Sequence, residues 1–347
     1  MDRRTALAVG ASLLLPALAS CRGSHARGGR TTLNGAGATL PYPLYSKWIA
    51  EYARVVPEVR VNYQPIGSGA GIRQLLAGTI DFGASESPIE EKQGIVNIPA
   101  SVGAVGVAVN LPRLRAPLRL EPAALGAIFR GRVKRWNDPA LATTNPDVEL
   151  PDQDIKVIHR TDGSGTTEVF SRYLASVDPE FSRSVGVGKS LRWPTGLGAK
   201  GNEGVAGQVR NTGGSIGYME LAYARHNSLP VAAVKNRAGR FVQPTAAAAT
   251  SAAESAELQD TLQASLVNRT GETTYPIVTF TYMLVRENPR DSVKGPALAR
   301  FVWWITHEGQ RFAEALDYAP LPSSVVKRVE ARLVELRATG AMLPARG

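Results

Sequence analysis

The chain has 347 residues, of which 40 are Lys or Arg and 30 are Asp or Glu, and its formal net charge is +10 at pH 7. That length allows two domains of ordinary size, and a hydrophobic content of 44% is enough for a buried core. The basic balance favours anionic partners, but the arginines are scattered, with no dense basic run or interleaved aromatic residues, which argues against nucleic-acid binding.

The first 20 residues have the pattern of a secretory signal peptide: a basic start, an apolar stretch and small residues at the end. The sequence Leu-Ala-Ser-Cys that ends at Cys21 is typical of a bacterial lipobox, in which the cysteine is lipidated and becomes the new N-terminus. Cys21 is the only cysteine, so an intramolecular disulfide is excluded. We expect export, a lipid anchor on Cys21 and a flexible Gly/Ser/Arg-rich tether over residues 21–30. A signal peptide cut nearby, with Cys21 left as a free thiol, is the alternative.

The first glycine-rich turn, Gly-Ala-Gly-Ala-Thr-Leu-Pro at residues 35–41, precedes a helical pattern that continues through Trp48. Pro41 or Pro43 suits the first turn of that helix. Thr39 would therefore present its hydroxyl beside a helix start.

A second turn, Gly-Ser-Gly-Ala-Gly at residues 67–71, follows an alternating strand over residues 59–63. It precedes a short helix over residues 72–77, which Gly78 would end.

The third turn, Arg-Thr-Asp-Gly-Ser-Gly-Thr-Thr at residues 160–167, is the most informative stretch. A short buried strand is predicted over residues 155–158 and an amphipathic helix over residues 168–175. A helix start offers free backbone N–H groups and a partial positive charge, which suit an oxyanion, and the planar fork of Arg160 matches phosphate oxygens. Taken alone, Ser164 also fits an ordinary N-cap.

None of the three turns matches the Walker pattern or a clean dinucleotide-binding fingerprint. The residues by themselves leave two interpretations open. Three helix N-termini converge on one anion, or three unrelated capped helices belong to an α/β protein.

Metal and nucleophile chemistry have little support in the sequence. The four histidines include no pair with metal-ligand spacing. Ser164 lacks the Gly-x-Ser-x-Gly elbow of hydrolases, and His159 fits a strand-end residue better than a catalytic base. We expect no metal, no cofactor and no catalytic residue.

Four motifs occur in order along the chain, at residues 35–41, 66–69, 81–86 and 160–166. With later stretches at 193–198, 200–202, 215–218 and 316–322, they resemble the PstS family, the phosphate-binding proteins of bacterial high-affinity phosphate ABC transporters. The resemblance covers nearly the whole chain after about residue 31. It implies an α/β, two-lobed periplasmic-binding-protein fold of type II, in which each lobe is a mixed sheet flanked by helices and the ligand cleft lies between the lobes.

The resemblance also implies a set of phosphate contacts made by hydroxyls, backbone N–H groups, one carboxylate and one guanidinium. The implied residues are Thr39, Leu40, Ser68, Glu86, Arg160, Ser164, Gly165 and Thr166. Asp162 would hold and orient Arg160, although it also fits an Asx-type turn.

Glu86 departs from the family pattern, which usually has aspartate at that position. The family's carboxylate accepts a hydrogen bond from the proton on phosphate and so rejects sulfate, which has no proton to offer. Glu86 keeps the acceptor chemistry but is one methylene longer. We expect it to contact the ligand, with a side chain turned to solvent as the alternative.

Two apolar runs, at residues 102–109 and 275–285, are predicted to cross between lobes. Residues 31–105 and 280–347 would form lobe I, and residues 106–279 would form lobe II. C-terminal helices over about 296–316 and 323–338 would pack back on lobe I. The Ala/Ser-rich stretch 245–256 fits a surface loop or a weak helix.

The resulting expectation is a non-enzymatic, lipid-anchored receptor at the cell envelope that binds inorganic phosphate and delivers it to an ABC permease. A secreted phosphatase on the same scaffold is the alternative from another class. A receptor for sulfate, molybdate or a phosphonate is the third hypothesis.

Overall fold

The structure is a computed structural model that describes residues 30–90, 94–111, 114, 116–288 and 291–338. The signal peptide, Cys21 and all of the tether except Arg30 lie outside these residues, so their interpretation stays a prediction. In the described ranges, no helix combines the length and the apolar character needed to cross a membrane.

Strands and helices alternate along most of the chain. The strands are β1 (Thr31–Gly37), β2 (Val59–Pro65), β3 (Phe82–Ser85), β4 (Ile95–Asn110), β5 (Arg119–Leu120), β6 (Lys156–Arg160), β7 (Leu197–Ala199), β8 (Ser215–Glu220), β9 (Ala233–Lys235), β10 (Phe241–Val242) and β11 (Val278–Arg286). The α-helices are α1 (Tyr42–Val55), α2 (Ser68–Ala77), α3 (Pro122–Phe129), α4 (Pro139–Ala142), α5 (Gly165–Val177), α6 (Pro179–Ser184), α7 (Gly201–Asn211), α8 (Leu221–His226), α9 (Ala246–Glu254), α10 (Lys294–Thr306) and α11 (Ser323–Ala338).

Within the described residues, eight strands form one sheet in the order β2-β1-β3-β11-β4-β8-β6-β7, and β10, β9 and β5 form a small second sheet. β1 runs parallel to β2 and β3, whereas β11 runs antiparallel to β3 and β4. Because the carboxyl ends of parallel strands meet at one edge of a sheet, the turns after β1, β2 and β3 lie side by side.

β4 joins the two halves of the large sheet. Its residues 95–104 pair with β11 and its residues 105–110 pair with β8. All of β4 except its last residue is buried, as expected for a strand covered on both faces. We call β1–β3, β11 and the start of β4, with the helices and turns that pack on them, the first half. The end of β4 with β8, β6 and β7, and the helices and turns that pack on these strands, form the second half. Both apolar runs that were predicted to cross between lobes lie in or overlap β4 and β11.

The predicted strand and helix around the third turn are confirmed as β6 and α5. Ser164 is the N-cap of α5, where its side chain accepts a hydrogen bond from Thr167 N. The predicted end of α2 is also confirmed, because Gly78 caps it with φ 74°, a left-handed conformation that glycine adopts without strain.

The Ala/Ser-rich stretch is a helix rather than a loop. Thr245 caps α9 by accepting a hydrogen bond from Ala248 N, and four alanines bury one face of the helix. α9 packs against β4 and β11, where small side chains let helix and sheet approach closely. The segment after α9 reaches the first half, since Gln263 Nε2 donates to the carbonyl of Ile89.

The C-terminal part packs on the first half, where α10 contacts β1 and both α10 and α11 contact β4. The predicted helix over about 296–316 is wrong in extent: α10 ends at Thr306, and two 3₁₀ turns follow at Glu308–Phe312 and Glu314–Leu316. The break places the carbonyl of Gly309 where the indole N–H of Trp48 donates to it, at 2.6 Å. Beyond it, Ala319 makes a β-bridge with Val102 of β4.

Candidate anion-binding site

The three turns singled out in the sequence meet at the boundary between the two halves. The start of α2 contacts the turn that precedes α5, where Gly69 N donates to the carbonyl of Gly163 at 2.9 Å. The approach requires glycine at Gly67, which has φ 90° and whose Cβ would overlap the Asp162 carboxylate. The convergence of helix N-termini is therefore a property of the fold and not only of the sequence pattern.

Arg160 ends β6, and its side chain is only 1% exposed. Its Nε donates to Asp162 Oδ1 at 2.7 Å, and its Nη2 pairs with Asp162 Oδ2. Gly201 N donates to the same carboxylate at 3.0 Å. Burial acts to raise the pKa of Asp162, but the hydrogen bond and charge of Arg160 outweigh it and hold that pKa below its usual range. The guanidinium is thus fixed on one side, while its Nη1 is buried with no hydrogen-bond partner among the described residues.

Glu86 follows β3 and is buried, with 4% of its surface exposed. Its Oε2 accepts from Ser68 Oγ at 2.8 Å, and Ser68 Oγ accepts from Gly165 N at 3.1 Å. Its Oε1 is buried and has no partner among the described residues. Burial raises the pKa of Glu86, opposed by the Ser68 hydrogen bond and by the charges of Arg160 and Lys189. The alternative of a solvent-facing Glu86 is excluded by this burial.

Three buried hydroxyls lie in the same cluster, and each accepts a hydrogen bond from a protein N–H group. Thr39 Oγ1 accepts from Asn202 N at 3.2 Å and from Asn202 Nδ2 at 2.7 Å. Thr166 Oγ1 accepts from Asn202 Nδ2 at 3.3 Å, and Ser164 Oγ accepts from Thr167 N at 3.0 Å. In the described part of the chain, no acceptor is found for the three hydroxyl hydrogens. Each hydroxyl can therefore still donate one hydrogen bond.

The fold brings together the eight predicted contact residues and Asp162. Leu40 is fully buried beside Thr39, and its carbonyl accepts from the Tyr318 hydroxyl at 2.7 Å. Ser68 and Gly165 were expected to contact the ligand, but in this structure they bond to each other, because the backbone N–H of Gly165 donates to the Ser68 hydroxyl. Cys21 lies outside the described residues.

Sequence reasoning gave no role to two residues that hold Thr39 in place. Asn202, in the first turn of α7, bonds the Thr39 hydroxyl, and the Tyr223 hydroxyl donates to the Thr39 carbonyl at 2.6 Å. Both residues belong to elements of the second half, whereas Thr39 follows β1. The only sequence signal for Asn202 was its place in one of the family-like stretches, and Tyr223 had none.

A second contact joins the halves beside Glu86. Ser87 Oγ donates to Glu168 Oε2 at 2.6 Å, and Lys189 Nζ pairs with the same oxygen at 2.9 Å. Burial acts to raise the pKa of Glu168, but the Ser87 hydrogen bond and Lys189 outweigh it and lower that pKa. Glu86, Ser87 and Glu168 also line an open pocket of about 270 Å³ at the boundary.

This arrangement can bind an oxyanion that carries a proton. Fixed neutral donors and the NH₂ group at Arg160 Nη1 face the cluster, and Glu86 Oε1 supplies an acceptor. Among the described residues, Arg160 Nη1 and Glu86 Oε1 are buried atoms of this cluster without a hydrogen-bond partner, and because buried polar groups are normally hydrogen-bonded, both are available to contact a ligand. In the described ranges, no group of three or more His, Cys, Asp or Glu residues is arranged to hold a metal ion.

Comparison with protein families matches residues 23–308 to a PBP superfamily domain. The chain is 43% identical to the phosphate-binding protein PstS of Xylella fastidiosa over 306 residues, which cover 86% of this chain and 84% of that protein. It is 42% identical to the phosphate-binding protein PstS of Pasteurella multocida over 308 residues, which cover 87% of this chain and 89% of that protein.

Among solved structures, a high-affinity periplasmic phosphate-binding protein bound with phosphate matches with a TM-score of 0.70 at 21% identity. The match covers 87% of this chain and 93% of that one. At that identity the likeness concerns the fold, and it agrees with a two-lobed mixed α/β architecture.

Proposed function

The chain belongs to the PBP superfamily and, within it, to the PstS phosphate-binding proteins, and on that premise we propose that it binds inorganic phosphate and delivers it to the permease of an ABC importer. The proposal rests on two buried atoms of the cluster, Arg160 Nη1 and Glu86 Oε1, for which the described part of the chain supplies no hydrogen-bond partner. A protonated phosphate satisfies both, since it accepts from the guanidinium and donates to the carboxylate.

The proposed contacts are those that the resemblance to the PstS family implies. Thr39, Ser164 and Thr166 would donate their free hydroxyl hydrogens, and Leu40 would donate its backbone N–H. Ser68 and Gly165 would exchange their mutual hydrogen bond for bonds to the anion. Asp162 would act through Arg160, whose Nε and Nη2 it already holds.

The two halves of the sheet would be the lobes, with lobe I at residues 31–105 and 280–347 and lobe II at residues 106–279. β4 and β11 would carry the hinge. Closure around phosphate would bury the anion and present one shape of the protein to the permease. The contacts between Gly69 and Gly163 and between Ser87 and Glu168 support this division, because they cross the boundary.

We propose that the protein works outside the cytoplasm, anchored by a lipid on Cys21, and that it is not an enzyme. Cys21→Ser should release the exported protein from the membrane fraction, and continued membrane association would refute the anchor. A chromogenic phosphate ester tests for phosphatase activity, and measurable turnover would refute the receptor reading.

The transport role is tested by uptake of radiolabelled phosphate in cells whose own high-affinity phosphate receptor has been deleted. The intact protein should restore uptake at low phosphate concentration when it is expressed with its cognate permease, whereas the Arg160→Ala variant should not. Equal restoration of uptake by both proteins would show that transport does not depend on the Arg160 site.

A further inference from the structure

Asn202 occupies a central position between the two halves. Its side chain is fully buried, and its amide group contacts the hydroxyl of Thr39 from the first half and that of Thr166 from the second. No ligand contact is assigned to it above. The orientation of its amide group nevertheless determines whether the two threonine hydroxyls act as hydrogen-bond donors or acceptors toward a ligand.

The orientation of the Asn202 amide follows from its third neighbour. Its Oδ1 accepts from the backbone N–H of Glu220 at 2.9 Å. A backbone N–H group can only donate, so the atom that faces it must be the oxygen. The NH₂ group of Asn202 therefore faces the threonines.

The NH₂ group in turn determines the direction of the threonine hydrogens. Thr39 Oγ1 receives two N–H groups, from the backbone and the side chain of Asn202, which occupy both of its lone pairs. Its own hydrogen must point elsewhere. Thr166 Oγ1 also accepts from Asn202 Nδ2, and in the described part of the chain neither hydroxyl hydrogen has an acceptor.

We propose that Asn202 is a positioning residue that holds the hydroxyls of Thr39 and Thr166 as donors aimed at the bound phosphate. The inference rests on the phosphate-binding function proposed above and adds a residue to it. Because Asn202 and Thr39 lie in different halves, Thr39 is set as a donor only when the halves are together. A hydroxyl that is free to rotate can accept as well as donate, whereas a fixed donor leaves the acceptor role to Glu86. Asn202 thus increases the selectivity of the proposed site for an anion that carries a proton.

The test is a double-mutant cycle between Asn202 and Thr39, read as phosphate affinity of the full-length protein after removal of endogenous phosphate. Asn202→Asp keeps the acceptor for Glu220 N but replaces the donor with a second acceptor, which would draw the threonine hydrogens away from the ligand. Thr39→Val removes one of those hydroxyls with little change in shape. Asn236→Asp is the matched control, because Asn236 is also buried and also both accepts from and donates to backbone groups, but it lies among residues 236–274.

We expect Asn202→Asp to weaken phosphate binding on the order of 100-fold in the wild-type background, since it withdraws two hydrogen bonds to a charged ligand. In the Thr39→Val background, the same change should cost about tenfold or less, because one of the two hydroxyls is already missing. Asn236→Asp should leave phosphate affinity within about twofold of wild type, as a site outside the cleft.

An equal loss in both backgrounds would mean that Asn202→Asp acts only through its added charge, and it would overturn the inference while leaving the proposed function intact. Failure of the wild-type protein to bind phosphate would instead overturn the proposed function. If Asn202→Asp does not fold, as judged by thermal unfolding, Asn202→Ala replaces it in the cycle. The loss caused by Asn202→Ala must again be smaller in the Thr39→Val background, and additive losses would overturn the inference.

Discussion

The backbone N–H of Gly165 donates to the hydroxyl of Ser68 at 3.1 Å, so the first residue of α5 is joined to the first residue of α2 across the boundary between the halves. The Ser68 hydroxyl donates onward to Glu86. Two helix N-termini and the buried carboxylate therefore form one hydrogen-bonded unit.

Gly165→Ala should weaken phosphate binding and also lower the stability of the ligand-free protein. Alanine is favoured over glycine within helices, so α5 by itself should not be weakened. A Cβ at this position, however, would overlap the Glu86 carboxylate and lie 2.9 Å from Glu86 Cβ. We expect phosphate affinity to fall at least about tenfold, by the loss of one or more hydrogen bonds to a charged group, and we expect a lower midpoint of thermal unfolding without ligand, because the buried Glu86 must shift to admit the Cβ. An unchanged affinity would show that Glu86 and α5 need not approach this closely.

Glu86→Gln should weaken phosphate binding and relax discrimination against sulfate. With Ser68 donating to its oxygen, the glutamine would turn its NH₂ group toward the ligand and offer a donor in place of an acceptor. Phosphate affinity should drop by about 10- to 100-fold, the cost of one hydrogen bond to a charged group, and sulfate should begin to compete. Competition titrations measure both effects, and Glu180→Gln on the exposed surface of α6 is the control. If the Glu86→Gln variant still discriminated against sulfate, the role of Glu86 as the acceptor of the phosphate proton would be refuted.

Glu168→Gln should speed phosphate release. Its carboxylate accepts from Ser87 of the first half and pairs with Lys189 of the second half, so the contact helps to hold the halves together. We expect the dissociation rate to rise about three- to tenfold, in keeping with a partly buried charged hydrogen bond. Stopped-flow release experiments give the rate. Glu180→Gln serves again as the control because its pair with Arg183 stays within one helix.

The same contact has a defined pH dependence. The pKa of Glu168 is lower in the folded protein than its ordinary value near 4.5, so its stabilising effect is fully present above that value. The effect should disappear as pH falls below 4.5 through the lowered pKa. The wild-type and Glu168→Gln proteins should therefore converge in release rate in strongly acidic buffer, and a constant difference between them at all pH values would contradict the ionic contact.

Glu220→Gln should stabilise the ligand-free protein at neutral pH. Glu220 is fully buried at the end of β8, and burial raises its pKa well above the ordinary value near 4.5. The unfolded chain therefore loses this proton at a lower pH than the folded protein does. As pH rises above 4.5, this difference lowers the free energy of unfolding. Glutamine removes that cost and can still accept the hydrogen bond from Ala222 N. Denaturant unfolding should show a gain at pH 8 that shrinks toward pH 4.5, and a gain independent of pH would rule out this explanation.

The sequence predicted those parts of the site that local chemistry decides. The turn over residues 160–167 lies between β6 and α5 because an apolar run, a capping serine and a helical pattern follow one another there. The contact of Thr39 with Asn202 spans 163 positions and depends on the order of the strands in the sheet, which periodicity does not give. α9 was left open between loop and helix because the burial of its alanines is decided by β4 and β11. Glu168 was placed only on a helix, since its partner Ser87 belongs to the other half.

Phosphate binding itself can be measured by calorimetric titration of phosphate into the protein from Arg30 onward, stripped of endogenous phosphate, with and without excess sulfate. We expect tight one-to-one binding of phosphate that excess sulfate leaves unchanged, because Glu86 accepts a hydrogen bond from the proton that phosphate carries and sulfate lacks. Phosphate binding that excess sulfate abolishes would contradict the role assigned to Glu86 and would indicate that the site binds a different oxyanion. Absence of binding of either anion would contradict the receptor function itself.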